Sequence, residues 1–164
     1  MMKASIPALL LALTLSPALS AADSHTIELS HKGSGTLYVQ TTLDENTQSS
    51  WLVDTGSDYS VMDRASLESL LTQGRARYVK QLRGKMADGS ERTLPLFMVD
   101  SLELGNGCTV ENVKVAVLPN STRSIMGLSA LRQLAPFSVS FDPPQLTVSG
   151  CKPSVAALED ESLE

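Results

Sequence analysis

No stretch of the chain stays apolar long enough to cross a bilayer. The apolar run Ile6 to Leu15 is about ten residues long and flanked by Pro7 and Pro17, against the roughly 20 residues a spanning helix needs. Histidine is almost missing: the 2 that occur, His25 and His31, fall in the disordered-looking start of the mature chain, where a solvated role fits them. The 2 cysteines, Cys108 and Cys151, have no histidine pair nearby, which argues against a zinc site. Basic charge does not dominate either, with 13 Lys and Arg against 18 Asp and Glu, so the chain lacks the electrostatic footprint of a nucleic-acid binder. No internal repeat is visible, so any element the chemistry needs in duplicate must come from a second chain.

What is present fits one soluble globular domain, with 42% apolar and 19% charged residues. Lys3, the apolar run and Ser16-Pro17-Ala18-Leu19-Ser20-Ala21-Ala22 have the charged, apolar and small-residue parts of a secretory signal. We therefore expect a signal peptide over 1–22, cleaved between Ser20 and Asp23, and no stable membrane span once it is gone. An uncleaved anchor is the competing reading. No cysteine directly follows the apolar run, so lipid attachment at the new terminus is not indicated. Export, to the periplasm on this reading, puts Cys108 and Cys151 in an oxidising compartment, where an even cysteine count reads as a bridge and the alternative is two free thiols. Such a bridge closes a loop of about 44 residues, worth roughly 4 kcal/mol at most in the chain-entropy model.

Organisation follows from period-two patterns. Thr26 to Ser30 and Leu37 to Leu43 read as strands around Gly33-Ser34-Gly35, Asp44 to Ser50 as a polar turn, and Trp51-Leu52-Val53 as a short apolar strand. Asp63 is placed to cap a helix running to Leu71, with Leu67, Leu70 and Leu71 on one side and Gly74 at its end. From Tyr78 to Leu118 strand signals return, broken by Asp88-Gly89, which marks a long hairpin, and by Gly105-Asn106-Gly107. Leu128, Leu131 and Leu134 recur at helical spacing before Pro136, and Ser138 to Phe141 and Gln145 to Ser149 flank Asp142-Pro143-Pro144 as a closing hairpin. The domain is expected over 23–150, followed by an acidic flexible tail over 151–164 that contains Glu159, Asp160, Glu161 and Glu164. A basic cluster, Arg75, Arg77, Lys80, Arg83, Lys85 and Arg92, reads either as a solvated strand face or as contact with an acidic substrate or partner.

Asp54-Thr55-Gly56-Ser57 stands where a strand runs into a loop. The triplet alone is weak, because Asp and Gly are common in turns. Its context is specific: an apolar strand before it, a glycine-tipped hairpin about thirty residues on, and Ile125-Met126-Gly127 leading into a helix about forty later. In that order, Trp51 to Ser57 resembles the active-site loop of the retropepsin-like aspartic peptidases, including their bacterial exported relatives. Lys85 to Ser90 resembles the flap tip of that family, and Ile125-Met126-Gly127 the apolar-apolar-Gly element that supports the loop. The resemblance covers roughly Thr36 to Val148.

The resemblance implies an all-β fold, a small closed-barrel acid-protease lobe with a flap hairpin and one or two short helices. It implies Asp54 as the catalytic residue and Thr55, Gly56, Ser57, Ile125, Met126 and Gly127 as loop support. Thr55 would bond across to a second subunit and Ser57 locally. Ala87, Asp88 and Gly89 would lie over a protein or peptide substrate. Asp58 matches a family position that often carries a second acid, and reads equally as a surface charge. Peptide hydrolysis by this route needs two carboxylates sharing one proton, and a single Asp-Thr-Gly makes a homodimer the simplest source of the second. No cofactor is expected. The signal, the cysteine pair and the long strand region before the loop depart from viral relatives, and a bridge at Cys151 would leave less chain for an intersubunit sheet. Two other readings stay open: a peptide-binding or scaffold domain that cleaves nothing, and, more remotely, a metallohydrolase using Asp54 and Asp58, which lacks a histidine within reach.

Overall fold

Alternating apolar residues become strands that bury one side each. In a computed structural model describing residues 24–33, 35–44, 47–105, 107–119 and 123–153, β1 (His25–Lys32) buries Ile27 and Leu29, and β2 (Thr36–Asp44) buries Val39, Thr41 and Leu43. The start of this region is therefore ordered strand, and both histidines lie in β1 rather than in a loose leader; hydrogen bonding of β1 to β2 and to a later strand holds it. The expected signal over 1–22 and tail residues 154–164 lie outside the described residues.

β3 (Thr47–Val53) starts earlier than the polar composition of Asp44 to Ser50 implies, pairing with β2 from Asp44↔Thr47 to Tyr38↔Leu52. Threonine, serine and glutamine suit a half-solvated pleated face, and the β2 backbone supplies partners, so the ladder overrides the turn composition. After it come β4 (Ser60–Val61), α1 (Arg64–Thr72), β5 (Ala76–Lys85), β6 (Glu91–Leu104), β7 (Cys108–Ala116) and β8 (Ser124–Met126). Next are α2 (Leu128–Leu131), a 3-10 turn over Arg132–Leu134, β9 (Phe137–Phe141), β10 (Pro144–Val148) and β11 (Lys152–Pro153). Asp63 caps α1, which buries Leu67 and Leu70 but leaves Leu71 39% exposed, so the apolar face is narrower than its three leucines imply.

The strands run in the order β5-β6-β7-β4-β8-β3-β2-β1-β10-β9, and the pairing of Thr41 and Thr42 with Leu104 and Glu103 joins β2 back to β6, closing a 6-strand barrel. The fold is all-β, with two short helices against the barrel. Trp51, Val39, Leu102, Leu104, Val113 and Met126 meet in its interior, each fully buried side chain of this size contributing about 1.5–3 kcal/mol over exposure. Outside the barrel, β1-β10-β9 form one flank, and β5 with β6 projects as a long hairpin.

The basic cluster lies mostly on this hairpin as a solvated face. Arg77, Lys80, Arg83, Lys85 and Arg92 are exposed, and Arg77 reaches Asp100 at 3.0 Å across the strands. Arg75 differs: half-buried, it donates to the Leu43 carbonyl and to the Ser101 hydroxyl, tying the end of α1 to the barrel wall.

Cys108, fully buried at the start of β7, is bridged to Cys151, with Cα atoms 5.3 Å apart. Just beyond, Lys152 and Pro153 pair with Thr109 and Cys108, and Lys152 Nζ meets Glu111 at 2.7 Å. Cys151, Lys152 and Pro153 are thus held to their own barrel. Replacing both cysteines by serine should lower the unfolding free energy by about 2–4 kcal/mol. Denaturant titration followed by fluorescence of the buried Trp51 checks this, and an unchanged midpoint would contradict a structural role for the bridge.

Candidate active site

A parallel pair of strands sets the site. β3 lies beside β8 with Trp51, Leu52 and Val53 opposite Ser124, Ile125 and Met126, and Asp54 extends the ladder by one bond, its amide donating to the Met126 carbonyl at 3.1 Å. There the chain turns. The Gly56 amide donates to Asp54 Oδ1 at 2.9 Å and the Ser57 amide to the Asp54 carbonyl at 3.4 Å, leaving the half-buried carboxylate at the lip of a loop. A side chain at position 56 would place its Cβ 3.1 Å from Asp54 Oδ1, crowding the carboxylate. Thr55 is exposed at the tip, and the Ser57 hydroxyl donates to the Tyr59 carbonyl at 2.7 Å.

The loop rests on Gly127. A Cβ there would fall 2.4 Å from the Tyr59 carbonyl oxygen and 2.8 Å from that of Ser57, closer than any real side chain lies, so only glycine lets the two segments pass. The Leu128 amide donates to the Ser57 carbonyl at 2.8 Å and the Gly127 amide to the buried Ser60 hydroxyl at 3.1 Å. Ser60 and Ser129 hydroxyls lie 3.0 Å apart, the Ser60 amide donates to Ser129 Oγ at 2.9 Å, and Ser129 donates to the Lys114 carbonyl at 2.7 Å. Ile125 is half-buried and Met126 fully buried beneath the loop.

A second polar cluster fixes the other end of β4. Asp63 accepts from the Ser66 amide at 2.9 Å, the Ser66 hydroxyl at 2.7 Å and the Ser124 hydroxyl at 3.1 Å. Partial burial pushes the Asp63 carboxyl up, but these hydrogen bonds from Ser66 and Ser124 outweigh it and hold the group below its ordinary 3.8. None of Tyr59, Ser60, Ser124 or Ser129 stood out in the sequence, because isolated serines are ordinary turn residues and only the fold brings these together.

Over the loop hangs the β5–β6 hairpin. Its turn is closed by the Met86 amide to the Ser90 carbonyl at 2.8 Å and the Gly89 amide to the Met86 carbonyl at 2.9 Å, with Gly89 at φ 82°, the left-handed region that favours glycine. The exposed Asp88 carboxylate accepts from the Ser90 hydroxyl at 2.6 Å and amide at 2.9 Å, bonds that hold it below its ordinary value. Between loop and hairpin lies a cleft of about 580 Å³. Asp54, Gly56 and Ser57 form one wall, Leu82 to Ala87 the other, and Leu94, Ala116 and Leu118 the apolar floor. Of the three expected flap residues Ala87 lines the cleft, as does Met86, while Asp88 and Gly89 form the hairpin tip beyond it.

A family model described as "Aspartyl protease" matches residues 39–130, the span from β2 through the loop and hairpin into α2. The chain belongs to the aspartyl protease family. Its fold is retropepsin-like. A retropepsin-like aspartic protease from Rickettsia conorii, known from its crystal structure, superposes with a TM-score of 0.55 at 19% identity, covering 78% of this chain and 94% of that one. Comparison with curated proteins gives no match. In this aspartyl protease lobe one Asp-Thr-Gly loop faces one cleft, and the described residues hold no second such loop.

Two substitutions check the support of the loop. Gly127→Ala should destabilise by about 3 kcal/mol or more because backbone, not a flexible side chain, blocks the Cβ. Gly84→Ala, where the added carbon would meet Met86 Cε at 3.8 Å and Leu94 Cδ1 at 3.9 Å in ordinary van der Waals contact, should be tolerated, and equal unfolding midpoints for the two variants would contradict the close passage. Loss of the Asp63 cap in Asp63→Ala should cost about 1 kcal/mol at neutral pH. Because the folded carboxyl titrates below its ordinary 3.8, its stabilisation is complete above that pH and is lost as pH falls through the lowered value. The gap between wild type and Asp63→Ala in denaturant titrations should therefore narrow on acidification below about pH 4, and a gap that widens there would contradict this sign.

Proposed function

We propose that the protein is an aspartic endopeptidase acting on exported proteins or peptides, and that its active form is a homodimer in which two copies of Asp54 share a proton. The observation that carries this reading is the Asp54 carboxylate at the lip of a peptide-sized cleft, on a loop fixed by Gly127 and roofed by a hairpin. One carboxylate cannot act as acid and base in the same step. Two within a few ångströms cannot both ionise, so one stays protonated. The ionised partner then takes a proton from a water molecule as that water attacks the scissile carbonyl, and the protonated one donates to the carbonyl oxygen. The pair titrates as a unit, so neither copy of Asp54 owns one role.

The rest of the reading follows from this centre. Thr55, exposed beside Asp54, is available to bond across the two-fold axis. The hairpin closes over bound substrate and excludes water, as lids do elsewhere. The segment 1–22 directs the chain out of the cytoplasm, to the periplasm, and is removed there.

Replacing Asp54 by Asn should abolish cleavage of an unstructured protein between about pH 4 and 8, a loss of at least about a hundredfold, while fold and dimer mass by light scattering stay unchanged. Undiminished cleavage by Asp54→Asn would remove the proposed mechanism. Peptide binding by the wild type with no turnover across a substrate library would favour a silent binding domain instead.

A further inference from the structure

Beside the catalytic cleft lies a second hollow of about 420 Å³, lined by Asp58, Tyr59, Asn112, Lys114, Leu128, Ser129 and Arg132. It shares Asp58 and Tyr59 with the cleft, so the two form one continuous surface. Its walls are β7, which supplies Asn112 and Lys114, and α2 with its 3-10 extension, which supplies Leu128, Ser129 and Arg132.

Side-chain to backbone bonds lock these walls together. Ser129 Oγ donates to the Lys114 carbonyl at 2.7 Å, Gln133 Nε2 donates to the Glu111 carbonyl at 2.8 Å, and the Glu111 amide donates to Gln133 Oε1 at 3.1 Å. The hollow is thus bounded by elements that do not have to order when something enters, which lowers the cost of binding.

Charge gives it a preference. Arg64, Arg77, Arg83 and Lys152 each meet a carboxylate within 4.0 Å, whereas Lys114 and Arg132, like Lys80 and Lys85, have no ion-pair partner among the described residues, and of these only Lys114 and Arg132 line the hollow. Asp58 on the shared rim is beyond that distance from both. In a chain with formal net charge −5, two unpaired cations converge on a polar hollow that opens into the cleft, and the facing cleft wall adds Arg83 and Lys85.

We infer that this hollow is a specificity pocket for an acidic side chain of the peptide substrate, with Lys114 and Arg132 as the residues that recognise its carboxylate. Asn112 and Ser129 offer further polar contacts, and Asp58 opposes entry from the rim. The inference rests on the peptidase reading for its ligand class, but it concerns binding and can be tested apart from turnover.

The probe is a set of labelled ten-residue peptides in which one Glu is walked along a neutral scaffold, each with a Gln control, titrated by anisotropy against full-length Asp54→Asn protein. At one position Glu should bind about five- to tenfold more tightly than Gln, the sum of two exposed ion pairs. That preference should vanish in Lys114→Met/Arg132→Met and invert toward Lys in Lys114→Glu/Arg132→Glu, while Asp58→Asn should strengthen it. Both cations are exposed, so these variants keep the Trp51 fluorescence of the folded protein. A Glu preference that the substitutions at Lys114 and Arg132 leave unchanged, or no positional preference at all, overturns the pocket. Wild-type cleavage of the same peptides separates the two ideas: Glu-selective binding without cleavage sinks the peptidase and keeps the pocket, whereas cleavage indifferent to Lys114 and Arg132 does the reverse.

Discussion

The close passage of Gly127 beneath the loop that carries Asp54 is the constraint on which the site depends. β3 and β8 run parallel and in register, so the chain leaving β3 and the chain leaving β8 arrive side by side and must cross within van der Waals distance. Glycine at 127 permits the crossing, and bonds from Asp54, Gly127 and Leu128 amides then fasten the two segments. A carboxylate on an open loop would sample many positions. Here it is fixed by backbone bonds on both sides, the kind of preorganisation that a reactive side chain needs.

From that crossing the barrel follows. β4 lies between β8 and β7, parallel to one and antiparallel to the other, so the chain returns through the sheet immediately after the active loop and delivers Ser60 to the point where its hydroxyl meets the Gly127 amide. β6, the longest strand, serves both ends: its first half forms the hairpin above the cleft, and its last residues pair with β2 to close the barrel. The small apolar cluster of Leu94, Leu96 and Ala116, with Leu82 and Met86 packed on it, makes the cleft floor separate from the barrel core. The disulfide and β11 tether the opposite end of the barrel, away from the hairpin.

Much of this was legible because the chemistry restricts residue type. Asp54, Gly56, Gly89 and Gly127 stand out in the sequence since few residues can replace them, and the period-two strands around them follow from burial on one face. What was not legible depends on juxtaposition. Thr47 to Ser50 read as a turn because their side chains are polar, yet the β2 ladder determines their conformation. Ser60, Ser124 and Ser129 lie far apart in the chain and gain meaning only when the crossing brings them within hydrogen-bond distance. Lys114 and Arg132 likewise sit on separate elements, and no spacing rule connects a strand residue to a helical turn. The flap signal located the hairpin and its tip, but the cleft wall formed by Leu82 through Ala87 comes from strand geometry that the sequence pattern does not show.

The central claim is that two chains contribute one Asp54 each to a shared centre, and subunit mixing tests it most directly. Wild-type protein is combined with an equal amount of Asp54→Asn, subunits are allowed to exchange, and cleavage is measured per total chain. A dyad shared across a two-fold axis leaves activity only in wild-type pairs, about a quarter of the dimers at equal mixing. The account predicts that value, and activity that instead falls to about half, in proportion to the wild-type fraction, would show that each chain works alone.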